Sequence, residues 1–149
     1  MTKPIPDFEA QDPNYAARIR ASFDQQAVMH TVGARLVQVA PGYIRVQLPF
    51  AQSLTQQHGY LHAGITTMIV DTACGYAAST LMPADSEVLS IEFKTNFLSP
   101  ATGDSFTAVG QVIKAGRTIT VCEGHVIAHQ GAREKLIATM QASMFCVLT

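Results

Sequence analysis

The chain has 149 residues, of which 48% are hydrophobic and 14% are charged, and its formal net charge at pH 7 is −1. This length fits a single domain with a sizeable core that needs no disulfide or metal to hold it together. The balanced charge gives no electrostatic support for nucleic-acid binding, because such proteins are usually basic, and so few charges favour self-association.

Cysteine usage and hydropathy indicate a cytoplasmic protein. The three cysteines are far apart and form no CxxC pair, which favours a reduced compartment. Residues 1–7 contain no apolar run typical of a signal peptide. Residues 61–82 are long enough to cross a bilayer, but they include His62 and Asp71 and are too polar for a lipid-facing span. We therefore expect a buried helix here and no membrane partner.

The N-terminal residues predict an arm followed by a helix. Residues 1–11 show little pattern and are expected to form a flexible arm ahead of a single domain over residues 12–149. Asp12-Pro13 is typical of a helix start. The helix is expected to fade near residues 26–30, and its apolar stripe recurs every four residues, at Tyr15, Ile19 and Phe23.

From Thr31 onwards the apolar period changes to two, which predicts a hairpin around the turn signal Pro41-Gly42. A polar loop over residues 49–57 leads into a long apolar helix at about residues 62–81, which Pro83 ends. Four further strands are predicted at residues 88–97, 105–115, 118–128 and 134–147. In the first of these, one face is expected to carry Leu89, Ile91, Phe93, Thr95 and Phe97.

This count of elements predicts an α+β fold. A hairpin-joined sheet buries one face, and so apolar a helix needs cover on most of its circumference. The economical arrangement is an antiparallel sheet of about six strands curled around the long helix, with the short N-terminal helix outside it.

Asp71 is the single charged residue between Val46 and Ala84. A lone carboxylate costs several kcal/mol to bury unless something pairs with it, so its position in an apolar helix indicates chemistry; the alternative is a structural carboxylate. The amides at the helix start, Ala63 and Gly64, suit an oxyanion hole, because helix N-termini carry unpaired N–H groups.

Around this helix start the chain reads Gln56, Gly59, His62, Ala63, Gly64 and Asp71, a motif that resembles that of the hot-dog acyl-CoA thioesterases of the PaaI type. The similarity extends over roughly residues 30–148 and includes the segment 90–101 and the pair Gly116-Arg117. The chain departs from the family pattern at two positions, where Ala63 replaces a glycine and Gln56 replaces the more frequent asparagine.

The resemblance implies a hot-dog fold and hydrolysis of an acyl-CoA, with the backbone amide at Ala63 as an oxyanion donor. It implies that Asp71 is general base or nucleophile, that Ser90 orients water, and that subunits form dimers that commonly pair into tetramers. His62 or Gln56 would orient the carbonyl or a water, and the alternative for His62 is a hydrogen bond at the helix start.

Independently of the resemblance, Arg117 at a hairpin tip, with Lys114 or Lys94 nearby, is a candidate contact for the coenzyme A phosphates; the alternative is that these charges are solvated turn residues. Gly59 is a further candidate substrate contact. No cofactor or metal beyond the substrate's coenzyme A is expected.

A distance argument favours a site shared between subunits. Asp71 lies seven residues beyond Gly64, roughly 10 Å along a helix at 1.5 Å per residue, so one small thioester cannot touch both in one chain. Two antiparallel central helices across a two-fold axis would bring them together.

The sequence does not distinguish between an aromatic acyl group and a medium-chain acyl group in the substrate. A non-catalytic acyl-CoA-binding hot-dog module and a hot-dog hydratase or dehydratase remain as alternatives. Cys74 is expected to be a packing residue, and His125 and His129 lack a third ligand for a metal.

Overall fold

The structure is a computed structural model that describes residues 4–149. Residues 4–11 form neither helix nor strand, yet Phe8 packs against the core and the side-chain amide of Gln11 donates a 2.8 Å hydrogen bond to the Leu81 carbonyl. The first three residues of the predicted arm lie outside the described residues. Among residues 4–149, no helix is both long enough and apolar enough to span a bilayer.

Two helices, rather than one, follow this segment. Helix α1 spans Tyr15–Gln25 and buries Ile19 and Phe23 as predicted. It begins later than the sequence pattern indicates, because residues 12–14 form a turn before the helix. In this turn the Asp12 carboxylate accepts a 2.8 Å hydrogen bond from the backbone N–H of Asn14.

Helix α2 spans Ala27–Val32 and ends at Gly33, whose φ of 78° is left-handed. The predicted strand start at Thr31 is therefore wrong. Met29 and Val32 are buried by this extra helical turn, and the strand begins only after Gly33 has reversed the chain. Glycine adopts this conformation without a steric cost, which is why the helix ends there.

The sheet and central helix confirm the predicted hot-dog architecture. Six antiparallel strands lie in the order β1-β2-β4-β5-β6-β3, and the central helix α3 packs on their inner face. A single turn of 3-10 helix, Gln52–Leu54, precedes α3. The bounds are β1 Arg35–Ala40, β2 Tyr43–Pro49, α3 Ala63–Ser79, β3 Ser86–Phe97, β4 Ser105–Lys114, β5 Ile119–Gln130 and β6 Arg133–Leu148.

Helix α3 lies directly on the sheet at a pair of glycines. Gly110 of β4 and Gly124 of β5 are cross-strand partners. A Cβ atom on Gly110 would overlap the backbone of Ala73, and one on Gly124 would come within 2.8 Å of the Cys74 sulfur. The absence of side chains at these two positions sets how closely the helix approaches the sheet.

The carboxyl end of α3 is held by Arg18 of α1. The Arg18 guanidinium donates to the carbonyl of Ser79 at 3.1 Å and to the carbonyl of Met82 at 3.3 Å, and it pairs with the Asp12 carboxylate at 2.9 Å. These bonds satisfy carbonyls that a helix end leaves unpaired and fix α1 against α3.

Edge strand β3 contains a bulge that the sequence analysis did not predict. Ser90 pairs with Met144 and Glu92 pairs with Ser143, so Ile91 has no partner on β6. A bulge shifts the alternation of side chains by one residue. The predicted shared face of β3 is therefore wrong: Leu89 points away from the helix, whereas the set Phe93, Thr95 and Phe97 shares the inner face with Ser90.

Candidate active site

The carboxylate half of the site consists of Asp71 and Ser90. Asp71 is half-buried on α3, and the Ser90 hydroxyl donates a 2.7 Å hydrogen bond to its Oδ1. Burial raises the pKa of Asp71 above its ordinary value, because an apolar environment disfavours the charged form, while the hydrogen bond from Ser90 opposes that shift. The arrangement keeps one carboxylate oxygen bonded and leaves Oδ2 available to a ligand.

The donor half begins at Gln56. Its side-chain Oε1 accepts hydrogen bonds from the backbone amides of His58 and Tyr60, and Gly59 makes this tight loop possible with a left-handed φ of 81°. Since both partners are donors, the atom they contact is the carbonyl oxygen. The NH2 group of Gln56 is thereby left as a donor for a bound molecule.

His62 is the N-cap of α3. Its Nδ1 accepts a 2.8 Å hydrogen bond from the Gly64 amide, so this predicted oxyanion donor is already in use within the chain. The neutral ring then carries its proton on Nε2. The backbone N–H of Ala63 has no acceptor among residues 4–149, and Ala63 is an exposed residue.

The two halves open into separate cavities. A slot of about 170 Å³ is lined by Gln56 and Ala63, and a groove of about 390 Å³ is lined by Asp71 and Ser90, with no residue common to both. Ala63 and Asp71 are eight residues apart, which is about 12 Å along the helix axis. Phe97, the last residue of β3, lines the slot, whereas residues 87–90, near the start of β3, line the groove. The two halves therefore lie at opposite ends of this edge strand.

The sequence profile of the thioesterase superfamily matches residues 58–135, just over half of the chain and all of α3. The chain belongs to this superfamily. The prediction of a hot-dog thioesterase is thereby confirmed, and the protein is a thioester hydrolase by family.

Three relatives illustrate the likeness. A thioesterase family protein from Silicibacter pomeroyi is 45% identical, with a TM-score of 0.89 over 91% of this chain and 99% of that one. The PaaI protein of E. coli shares the fold, with a TM-score of 0.80 at 20% identity over 90% and 94% of the two chains. A Listeria monocytogenes 1,4-dihydroxy-2-naphthoyl-CoA hydrolase is 28% identical over 96 residues, 64% of this chain and 78% of its own.

The predicted coenzyme A contacts of this thioesterase lie in different places. Arg117 is exposed beside Thr118, whose carbonyl accepts a 2.8 Å hydrogen bond from the Cys146 amide at the groove end of the sheet. Lys94 pairs with Gln141 on the sheet face away from α3. Only Arg117 therefore lies at the end of the sheet where the groove opens.

The thiol and imidazole side chains outside the motif do not add to the site. Cys74 is fully buried against the sheet, and burial holds the pKa of its thiol well above the ordinary value, which fits the predicted packing role. His129 bonds to Thr107 at 2.8 Å on the outer face of the sheet. Within the described part of the chain, no three potential metal ligands come together.

Sequence reasoning missed the residues that form the floor of the groove. Ser22 and Gln26 from the N-terminal helices line it together with Thr72 and Tyr76 of α3. Tyr76 carried a signal, since it is a large polar side chain among small residues five positions beyond Asp71. Gln26 carried none, because its role depends on the interruption between α1 and α2.

Proposed function

We propose that this thioesterase hydrolyses an aromatic or medium-chain acyl-CoA to the free acid and coenzyme A at a site shared by two subunits. The proposal is carried by one observation, the separation of the donor half and the carboxylate half to opposite ends of the exposed edge strand β3. Coenzyme A of the substrate is the only cofactor that it requires.

The edge strand supports dimer formation. Leu89 is 60% exposed, Ile91 54% and Phe93 45%, on a strand of 12 residues that pairs on one side only. Native proteins cover or blunt such edges, because unpaired backbone groups beside apolar side chains invite another strand. A second copy of the same strand is the simplest cover.

Antiparallel pairing of two β3 strands about a two-fold axis exchanges their ends. The first residues of β3 in one subunit, which include Ser90 and lie beside Asp71, are then next to the last residues of β3 in the partner subunit. Those residues flank the slot of Gln56 and Ala63. Each dimer would thus contain two complete sites.

The chemistry follows from the assembled groups. The N–H of Ala63 and the NH2 of Gln56 donate to the thioester oxygen as negative charge gathers on it, an effect worth about 100- to 1000-fold in rate per donor. Asp71 takes the proton of the attacking water, the carbon–sulfur bond breaks, and coenzyme A leaves as a thiolate that is then protonated. The products are the carboxylic acid and free coenzyme A.

Asp71 can equally attack the carbonyl itself and form a mixed anhydride that water then cleaves. A single turnover in ¹⁸O-labelled water identifies the anhydride route in which water attacks the Asp71 carbonyl. Direct attack by water places the label in the acid, whereas the anhydride route with water attacking Asp71 places it in the enzyme carboxylate.

The acyl assignment rests on the groove and on the relatives. A groove of about 390 Å³ accommodates an acyl group of one or two rings or a chain of similar size. The Listeria relative bears the name of a naphthoyl-CoA hydrolase.

The first experiment measures thiol release from a panel of acyl-CoAs by the wild type and Asp71→Asn. Loss of the general base is expected to lower kcat by about 100-fold or more. Asp24→Asn, on the exposed side of α1, is the matched control and should retain wild-type rates. An Asp71→Asn enzyme as fast as the wild type would refute the assignment.

The second experiment tests the shared site with Ala63→Pro. Ala63 is the first helical residue, where proline is tolerated, and His62 before it has ψ of 138°, which a following proline permits. This change removes the N–H while preserving the fold.

Homo-oligomers of Ala63→Pro and of Asp71→Asn should each be nearly inactive. Mixed dimers made by co-refolding hold one intact site and one doubly disabled site, so an equal mixture should recover about a quarter of wild-type activity. A site contained in one chain would recover none.

A further inference from the structure

Four polar side chains form a hydrogen-bonded cluster in the floor of the Asp71 groove. We call Ser22, Gln26, Thr72 and Tyr76 the distal cluster. The Tyr76 hydroxyl lies 3.1 Å from the Ser22 hydroxyl and accepts a 3.2 Å hydrogen bond from the side-chain NH2 of Gln26. The side-chain oxygen of Gln26 accepts a 3.4 Å hydrogen bond from the Thr72 hydroxyl. All four side chains line the groove.

The chain interrupts its N-terminal helices at Gln26. This residue separates α1 from α2, with φ −79° and ψ 93°, and its carboxamide bridges two hydroxyls of α3. The Tyr76 ring is fixed by packing on Phe23, with ring centroids 6.1 Å apart. The cluster is therefore held in place from two sides.

The distal cluster retains hydrogen-bonding capacity for a ligand. The side-chain amide of Gln26 has a second N–H, and its oxygen has a second lone pair. The side chain can therefore both donate a hydrogen bond to a ligand hydroxyl and accept one from it. The other ionisable groups that line the groove are the carboxylates of Asp71 and Glu87, and no Lys, Arg or His is among its lining residues. A neutral polar group suits this lining, whereas an anion would be repelled.

The spacing along α3 fits an acyl group between Asp71 and the cluster. Tyr76 is five residues beyond Asp71, about 7.5 Å along the helix axis. A thioester whose carbonyl carbon lies at Asp71 can extend its acyl group along the groove and present its far end to Gln26 and Tyr76.

We propose that the distal cluster determines acyl specificity by binding a neutral hydroxyl at the far end of the acyl group. This proposal rests on the thioesterase activity proposed above. Ser22 and Gln26 lie outside residues 58–135, the part of the chain that the superfamily profile matches. The specificity would thus come from the N-terminal helices of this chain.

The test compares kcat/KM within two matched pairs, benzoyl-CoA with 4-hydroxybenzoyl-CoA and 2-naphthoyl-CoA with 6-hydroxy-2-naphthoyl-CoA. The wild type is expected to prefer the hydroxylated member of at least one pair on the order of 10-fold, the value of one or two hydrogen bonds. Replacing the hydroxyl by a carboxylate should lower kcat/KM below that of the unsubstituted thioester.

Tyr76→Phe and Gln26→Met are expected to bring the preference within each pair close to one, because the hydroxylated member loses on the order of 10-fold more kcat/KM than the unsubstituted member. A merely structural role would lower both members of a pair equally. Tyr43→Phe, at a buried tyrosine outside the groove, is the control and should keep the preference.

The two proposals fail differently. If every acyl-CoA resists hydrolysis, the thioesterase proposal falls and the specificity proposal with it. If thiol is released normally but Tyr76→Phe and Gln26→Met keep the wild-type preference, or if no hydroxyl preference exists, the distal cluster is not the specificity site. Equal cleavage of carboxylated and hydroxylated thioesters would overturn it as well.

Discussion

The Ser90 hydroxyl donates a 2.7 Å hydrogen bond to Oδ1 of Asp71 because a bulge at Ile91 turns Ser90 towards the central helix. Strict alternation along β3, with Phe93 on the inner face, would have placed Ser90 on the opposite side of the sheet. One unpaired residue in an edge strand thus decides the environment of the carboxylate.

The first prediction concerns the pH profile. Burial raises the pKa of Asp71, so kcat/KM should fall with decreasing pH at a value above the ordinary 3.8. Ser90→Ala removes a bond that favours the charged form and should move this acid limb to still higher pH. Ser143→Ala, on the outer face of the neighbouring strand, should leave the limb in place. An acid limb shifted downwards by Ser90→Ala would contradict the interpretation.

The same pKa predicts that Asp71→Asn stabilises the fold. A raised pKa in the folded state means that folding stability falls as pH rises from 3.8 through the raised value. Above that interval the wild type carries the whole cost of a buried charge, which the neutral amide avoids. Thermal unfolding at pH 7 should therefore give a higher Tm for the variant, and the gain should disappear below pH 3.8.

The third prediction separates the two edges of the sheet. Ile91→Asp should dissociate the dimer and abolish hydrolysis together, because a charge in the apolar edge opposes strand pairing. Val37→Asp is a closely matched control, since Val37 is 46% exposed at a register shift in β1, the other edge strand. Sedimentation and thiol release on both variants would decide; an active Ile91→Asp monomer would contradict the shared site.

His62 is predicted to act mainly by capping α3. His62→Ala removes the acceptor for the Gly64 amide and should cost about 0.5–2 kcal/mol of unfolding free energy. Asparagine is a good N-cap, so His62→Asn should restore most of that loss and much of the activity. Restored stability with activity still absent would instead assign the imidazole a direct role in catalysis.

The close approach of α3 to the sheet gives a fifth prediction. Gly110→Ala should lower the unfolding free energy by about 1–3 kcal/mol or more, because its Cβ would overlap the Ala73 backbone. Gly75→Ala adds the same methyl group on α3 itself, at a position where no atom lies within 4 Å of the added Cβ. It should stabilise by about 0.5–1 kcal/mol through helix propensity, as denaturant unfolding can measure.

The sequence by itself determined most of the helices and strands and located the functional segment at residues 56–71. The periods of apolar residues were enough for the central helix, the first hairpin and the four later strands, because these periods record which side of each element meets the core. The spacing from Gln56 to Asp71 likewise indicated a helix start followed by a carboxylate. These features depend on residues that are close in sequence.

Tertiary structure decided what each functional atom contacts. The bulge at Ile91, the bond from Ser90 to Asp71 and the contact of Gln26 with Tyr76 each depend on strand register or on packing between segments distant in sequence. A one-residue shift in strand pairing leaves the spacing of the apolar residues unchanged, so the apolar pattern of the sequence does not reveal it. The sequence thus located the carboxylate, and packing against a distant strand and the N-terminal helices determined its hydrogen bond, its pKa and the shape of the groove beside it.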